Sequence, residues 1–235
     1  MKILHLYHDL MNLYGDYANL TALRKLAESN GEAVEICRLS VGDEVDFDSY
    51  DFVYIGSGTE RNMKVALEDM RRLKDGFEAY VENGGVALLT GNSFEMLGGR
   101  ITDCGGKEYE GLGMFGFTVT EQNKTRLVGD AVYECEFLDS PLVGFVNKCS
   151  EIRGIDEPMF SVKMGLGNAE GEAGEGIRMN NLFCTHLTGP AMVKNPHLLG
   201  YIAGLIVGRE LDDSAMAYEK KGYEVTLREL MNLIK

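Results

Sequence analysis

The string Thr90-Gly91-Asn92-Ser93 follows the apolar run Val86 to Leu89 and leads into Phe94, Met96 and Leu97, which is the layout of a nucleophile elbow. Such an elbow holds one residue at a strand tip in a strained backbone conformation. The N-terminus of the following helix then offers amides and positive dipole to a developing oxyanion. Here the tip is Gly91, which has no side chain to attack with, although it relieves the strain a larger residue would store there. An ordinary strand-to-helix glycine turn fits the same pattern.

Other residues with reactive side chains form weaker constellations. Cys184 and His186 fall on one face of the apolar segment Leu182 to Leu187, but a strand pair lacks an elbow and an oxyanion hole. Ser93 is displaced into the turn. His5 and His8 lie three apart on the first strand, so they are expected on opposite faces and not at one metal. The string GLGMFG at Gly111 to Gly116 matches GxGxxG, yet Phe117 to Thr120 after it reads as a strand, where a dinucleotide site needs a helix. There is no GxxxxGK[ST] string. The five cysteines are never spaced as CxxC, which predicts reduced thiols and neither a zinc site nor a disulfide frame. No metal or cofactor is expected. Asn123-Lys124-Thr125 reads as a polar turn.

The elements that must position these residues follow from periodicity. Lys2 to His8 reads as a strand and Tyr17 to Ser29 as a helix with Leu20, Leu23 and Leu26 inward. Ala33 to Cys37 and Phe52 to Ile55 read as short strands, separated by a solvated acidic stretch, Asp43 to Asp51. Asn62 to Glu82 is helical in period and is stopped by Asn83-Gly84-Gly85 before the strand Val86 to Leu89. This alternation predicts a parallel sheet with helices on both faces and ligands at the carboxyl ends of its strands. Later segments look more antiparallel: Phe115 to Thr120, Arg126 to Phe137 and Leu142 to Asn147. Gly165 to Gly176 reads as a flexible exposed loop. Pro196 to Val207 reads as a helix, and Leu227 to Ile234 as a short amphipathic one.

The 235 residues carry a net charge of −14, with 45% hydrophobic and 26% charged residues, the profile of a folded globular chain. The negative field disfavours nucleic acid and anionic lipid surfaces as partners. No apolar run approaches the roughly 20 residues of a membrane span. The start, MKILHLYHDL, reads as a strand and not a signal peptide, so a cytoplasmic location is expected.

Several separate strings together resemble one family. They are LYHDLMNLYGDYANLTALR at Leu6 to Arg24, YIGSGTER at Tyr54 to Arg61, the elbow with its trailing FEMLGG, and EGLGMFGF at Glu110 to Phe117. TRLVGD at Thr125 to Asp130, LVGFVN at Leu142 to Asn147 and LTGPAMVKNP at Leu187 to Pro196 complete the set. In this order they resemble the GatD-type, CobB/CobQ-like class I glutamine amidotransferases, the glutaminase half of lipid II isoglutaminyl synthase. The resemblance implies a flavodoxin-like α/β three-layer sandwich over residues 1–207, with a C-terminal helical extension at 208–235.

In that family a Cys on the elbow attacks the glutamine amide and a His just before a Gly-Pro pair activates it. By the resemblance the Cys position falls on Gly91 and the His position on Thr188. Glu95 stands where the family often has Gln, and Val146 and Lys148 where the GatD-like pattern has Glu and His. Removing either member of such a pair can cost on the order of 10⁶ in turnover, and losing the second then adds little. The resemblance also implies that Arg126 grips a carboxylate and that Gly56, Ser57 and Gly58 form the loop lending an oxyanion amide, with Asn92 beside it. Ser57 departs from the usual Gly. A salt bridge for Arg126 and a tight turn for the glycines fit equally.

Three functions stay open at this stage. One is a GatD-like protein without glutaminase chemistry, kept as a binding or scaffolding subunit for a MurT-like Mur ligase homologue. Another is a working hydrolase with relocated groups, Ser93 or Cys184 with His186. The third is a non-catalytic sensor of glutamine or another amino acid. His186 lies roughly 6.6 Å along the strand from Thr188, beyond reach of the same nucleophile.

Overall fold

The computed structural model describes residues 1–122 and 126–234; the string Asn123-Lys124-Thr125 lies outside them. Apolar runs alternate with amphipathic helices along the first hundred residues, and this half folds as that pattern requires. Strands β1 (Lys2–Leu6), β2 (Glu35–Leu39), β3 (Phe52–Ile55) and β4 (Val86–Thr90) are parallel, in the order β2-β1-β3-β4. Helix α1 (Tyr17–Ser29) sets Leu20, Leu23 and Leu26 against Ile3, Phe52 and Leu88 on one face. Helix α2 (Glu60–Glu82) sets Met63, Leu67, Met70 and Phe77 against Leu4, Val53 and Leu89 on the other. Successive strand residues thus feed opposite layers. Thr59 caps α2 by accepting from the Asn62 amide at 3.1 Å.

The C-terminal half extends the same sheet with antiparallel strands. β5 (Arg100–Thr102), β6 (Glu108–Glu110), β7 (Thr118–Glu121) and β10 (Ser150–Arg153) form a separate four-stranded sheet, ordered β10-β7-β5-β6. β8 (Leu127–Glu134), β9 (Leu142–Lys148), β11 (Pro158–Met164), β12 (Gly174–Met179) and β13 (Leu182–Thr185) complete a nine-stranded sheet, in which β13 lies parallel to β4. The five parallel strands β2-β1-β3-β4-β13 therefore have the flavodoxin-like order. Thr188, past the end of β13, bridges to Phe145 on the outer strand β9, so the antiparallel half curls back on itself. Helices α3 (Ala191–Lys194) and α4 (Pro196–Val207) pack on the α1 side. Helix α5 (Ala217–Leu233) lays Leu230 against Val132 and Val143 of β8 and β9. Among the described residues no helix is long and apolar enough to cross a membrane.

Four local readings of the sequence are corrected. The segment Gly165 to Gly176 is not a free exposed loop: Gly167, Asn168 and Ala169 are buried and its last residues enter β12. The acidic stretch Asp43 to Asp51 buries Phe47 within a short turn Phe47–Ser49. The C-terminal helix begins well before Leu227 because Tyr223 also packs inward, its hydroxyl donating to the Pro141 carbonyl. His5 and His8 are neighbours, with ring centroids 6.0 Å apart. The strand ends at Leu6 and Tyr7 adopts φ +55, which breaks the alternation that would have separated them.

Candidate functional site

At the carboxyl end of β4 the chain turns sharply through Gly91, at φ +64, into a 3-10 helix over Gly91–Leu97, all of it buried. The elbow predicted from the sequence is therefore present in its backbone. Its tip is filled from across the sheet. A β-carbon placed on Gly91 would stand 2.1 Å from Ser57 Oγ and 2.6 Å from Ser57 Cβ. Ser57 lies in the loop after β3, so its side chain takes up the volume in which a side chain at position 91 would begin.

The amides of that loop also point to internal partners. Ser57 N donates to Asp16 Oδ2 at 2.6 Å, and Gly58 N donates to Asn92 Oδ1 at 2.9 Å. Gly56 is required by space: a β-carbon there would approach the Met11 carbonyl to 2.5 Å. Two amides that could face a developing negative charge are thus already hydrogen-bonded to side chains of the same chain. Asp16 is fully buried, and its Oδ1 has no hydrogen-bond partner. Burial pushes its carboxyl up to about 7, against the lowering effect of the bonds from Ser57 and Thr90. Behind it, Tyr54 shares a 2.8 Å hydrogen bond with Thr90 Oγ1 and accepts one from Asn19 Nδ2 at 2.9 Å.

Thr188 is held by the bridge to β9. Its amide and its hydroxyl both donate to the Phe145 carbonyl at 2.8 Å. An alcohol is far too weak a base to take a proton near neutral pH, so Thr188 offers no general base at Gly91. The groups considered as replacements are committed as well. Ser93 is buried, with its hydroxyl on the Ile55 and Thr90 carbonyls at 3.1 and 2.8 Å. Cys184 is buried among core residues, and burial beside Glu175 pushes its thiol well up. Among the described residues no hydrogen bond joins Cys184 to His186.

His186 instead anchors a buried polar cluster. Its Nε2 meets Glu95 Oε1 at 3.0 Å and its amide donates to Glu175 Oε1 at 2.7 Å. Thr185 Oγ1 donates to Glu175 Oε2 at 2.6 Å, and Ser150 Oγ to Glu95 Oε1 at 2.5 Å. Lys148 sits beside these carboxylates and donates to the carbonyls of Gly167 and Asn168 at 2.6 and 2.7 Å, and burial holds its amine below the usual range. Glu95 and Lys148 are thus both hydrogen-bonded inside the chain, Glu95 to His186 and Ser150 and Lys148 to two backbone carbonyls.

Arg126 closes the mouth of the site. Glu60, Arg126, Asn92, Lys148 and Cys149 surround a cavity of about 10 Å³, the limit for a single water molecule. The structure brings Gly58, Ser57, Asn92 and Arg126 around one small cavity, which leaves no room for an amino acid. Sequence reasoning did not single out Asp16, Glu60, Cys149 or Glu175. Asp16 and Glu60 sit inside quoted strings, YGDYAN and GTER, whose carboxylates were the available signal; nothing local marked Glu175. Among the described residues no group of His, Cys, Asp or Glu is placed to hold a metal ion.

Comparison with known proteins agrees with this architecture. Residues 2–196 match the CobB/CobQ-like glutamine amidotransferase domain. The chain is 32% identical over 200 residues to the lipid II isoglutaminyl synthase (glutamine-hydrolyzing) subunit GatD of Streptococcus pneumoniae, covering 84% of this chain and 77% of that one. It is 31% identical over 202 residues to the protein of the same name from Staphylococcus aureus, covering 86% and 82%. Among solved structures, PurLQS from Thermotoga maritima aligns with a TM-score of 0.56 at 13% identity, over 88% of this chain and 95% of that one. A crystal structure of a glutamine amidotransferase aligns with a TM-score of 0.56 at 16% identity, over 87% and 98%. Sequence strings, strand order and these likenesses converge: the chain belongs to the CobB/CobQ-like glutamine amidotransferase family and is a homologue of GatD subunits.

Proposed function

We propose that this chain is a GatD-like subunit that does not hydrolyse glutamine and serves as a docking partner for a MurT-like Mur ligase homologue. By the resemblance, that ligase uses ATP to aminate the α-carboxyl of D-glutamate in the peptidoglycan precursor lipid II. A GatD-like subunit without glutaminase chemistry would stabilise it while free ammonia supplies the nitrogen. The reading includes a cytoplasmic location and a division into an amidotransferase-like domain, 1–207, and a C-terminal helical extension, 208–235.

The observation that carries it is the packing of Ser57 into the volume beside Gly91. An acyl transfer through a covalent intermediate needs a nucleophile at the oxyanion donors and a base within hydrogen-bond reach. Gly91 supplies no nucleophile, Thr188 has a non-basic hydroxyl that donates a hydrogen bond to the Phe145 carbonyl, and the loop amides serve Asp16 and Asn92. Ser93 and Cys184 lie buried in other hydrogen bonds and in core packing, which argues against relocated chemistry.

The test is ammonia release from L-glutamine by the purified chain, alone and with a co-expressed Mur ligase homologue, together with labelling by a diazoketone analogue of glutamine. The expected result is release at the buffer level, no covalent adduct, and co-purification of the two chains. An adduct mapped by mass spectrometry to any residue of the cavity would overturn the reading, as would failure of the chains to associate.

A further inference from the structure

Arg126 is held on three sides. Its Nε donates to Asn147 Oδ1 at 2.6 Å and its Nη2 to the Asn147 carbonyl at 3.0 Å, while its Nη1 donates to Glu60 Oε1 at 2.5 Å. The two bonds to Asn147 fix the plane of the guanidinium, which leaves one edge directed at the cavity mouth. The end of the guanidinium that Asn147 leaves free suits a carboxylate, and its Nη1 makes a single bond to one supplied by the chain itself, Glu60 Oε1.

Glu60 is in turn held in place. It is the first residue of α2, where the helix dipole favours a negative charge, and Cys149 Sγ donates to the same Oε1 at 3.2 Å. Burial pushes the Glu60 carboxyl up, but the hydrogen bonds from Arg126, its own amide and Cys149 outweigh this and keep it below its ordinary value. The effect on Cys149 is the reverse: burial and the facing Glu60 push its thiol up to about 12, so it acts here as a hydrogen-bond donor and not as a nucleophile.

We infer that Glu60 is an internal latch: its carboxylate occupies the Arg126 fork where a small carboxylate ligand would bind, and so closes the inherited cavity to free amino acids. The inference rests on the reading of the site as non-hydrolytic and adds how the site is kept shut. The side chains of Glu60 and Arg126 are 30% and 39% exposed, so solvent screens the pair, and its hold on the site comes from occupying the guanidinium more than from the strength of the contact. The ligand class follows from the fork: a small molecule with a free carboxylate, tested with L-glutamine and L-glutamate.

The experiment is calorimetric titration of the full chain with each amino acid. Wild type is expected to show no binding in the millimolar range. Glu60→Ala, which removes both the shape and the charge of the latch, is expected to bind with a dissociation constant about tenfold or more below the wild-type detection limit, since like-charge repulsion at the fork is lost. Glu60→Gln keeps the shape, drops the charge and is expected to fall between. Adding Arg126→Met to Glu60→Ala is expected to abolish the gain. Wild type binding as tightly as Glu60→Ala, a folded Glu60→Ala with no gain, Glu60→Gln indistinguishable from wild type, or a gain that survives Arg126→Met would each overturn the latch. Ammonia is read in the same samples. Its release by Glu60→Ala would strike the non-hydrolytic reading while leaving the latch intact, and absent binding strikes the latch alone.

Discussion

Ser57 Oγ lies 2.1 Å from the point where a β-carbon on Gly91 would stand, so these two positions cannot both carry their side chains in the present backbone. The relationship is reciprocal. A residue with no side chain at the elbow allows a hydroxymethyl group on the facing loop, and that group excludes a nucleophile from the elbow.

Gly91→Cys alone is therefore expected to destabilise the fold by about 2–4 kcal/mol, the combined cost of overpacking and of a side chain at positive φ. Adding Ser57→Gly should recover the overpacking part. Urea unfolding of the two variants measures the difference. Equal stabilities would show that Ser57 does not occupy the contested volume. The double variant should carry a thiol at the elbow and still release no ammonia from glutamine, because Thr188 offers no base.

Asp16 should impose a pH slope on stability. Its carboxyl is raised from 3.8 to about 7 in the fold, so between these values the folded chain holds a proton that the unfolded chain has lost. Its contribution is complete below pH 3.8 and is lost as the pH rises through 7, on the order of 4 kcal/mol in all. Asp16→Asn, permanently neutral, should remove that slope and be at least as stable as wild type at about pH 8. Parallel stability profiles for the two proteins would refute the assignment.

His5 should contribute the opposite slope. Burial, with the nearby charges of His8 and Arg38, lowers it from 6.5 to about 4, and its Nε2 is buried without a partner. The unfolded chain binds the proton first, so stability present above pH 6.5 is lost as the pH falls towards 4, on the order of 3 kcal/mol. His5→Phe should flatten the acid limb of the denaturation profile and leave the stability near pH 8 almost unchanged. Acid unfolding followed by circular dichroism is the measurement. An unchanged acid midpoint would show that His5 is not kept neutral.

Lys148 should prove structural. Lys148→Met leaves the Gly167 carbonyl without its donor, takes one of two donors from the Asn168 carbonyl, which keeps the Ile152 amide, and removes the positive charge near Glu175 and Glu95. The expected cost is about 1–3 kcal/mol, that of leaving a buried carbonyl unsatisfied. Amide hydrogen exchange across Gly165 to Ala173 should accelerate more than exchange in β1, because the loop loses its tether. Combining it with Glu175→Gln should cost less than the two changes summed, since both act on one network. Additive losses would place Lys148 outside it.

Much of the parallel half was legible because its signals are local. Apolar runs such as Phe52 to Ile55 and the stripe Leu20, Leu23 and Leu26 fix strand and helix by side-chain period alone. The exchange of polar partners was not. Ser150, Glu95, His186 and Glu175 are far apart in the chain, and no periodicity relates them. The loop from Gly165 looked free because glycine and polar residues usually mean solvent; a lysine from β9 passing beneath it reverses that outcome.

By itself, the sequence determined that position 91 bears no nucleophile and that position 188 bears no imidazole, because covalent structure is read directly from residue identity. It also determined the family, through strings whose order survives substitution. Only the tertiary structure decided what occupies the space beside Gly91. Ser57 filled it, Asp16 and Asn92 took the loop amides, and Glu60 took the arginine fork. Those outcomes depend on distances between loops at the ends of different strands, which the packing of the sheet sets and no local pattern records.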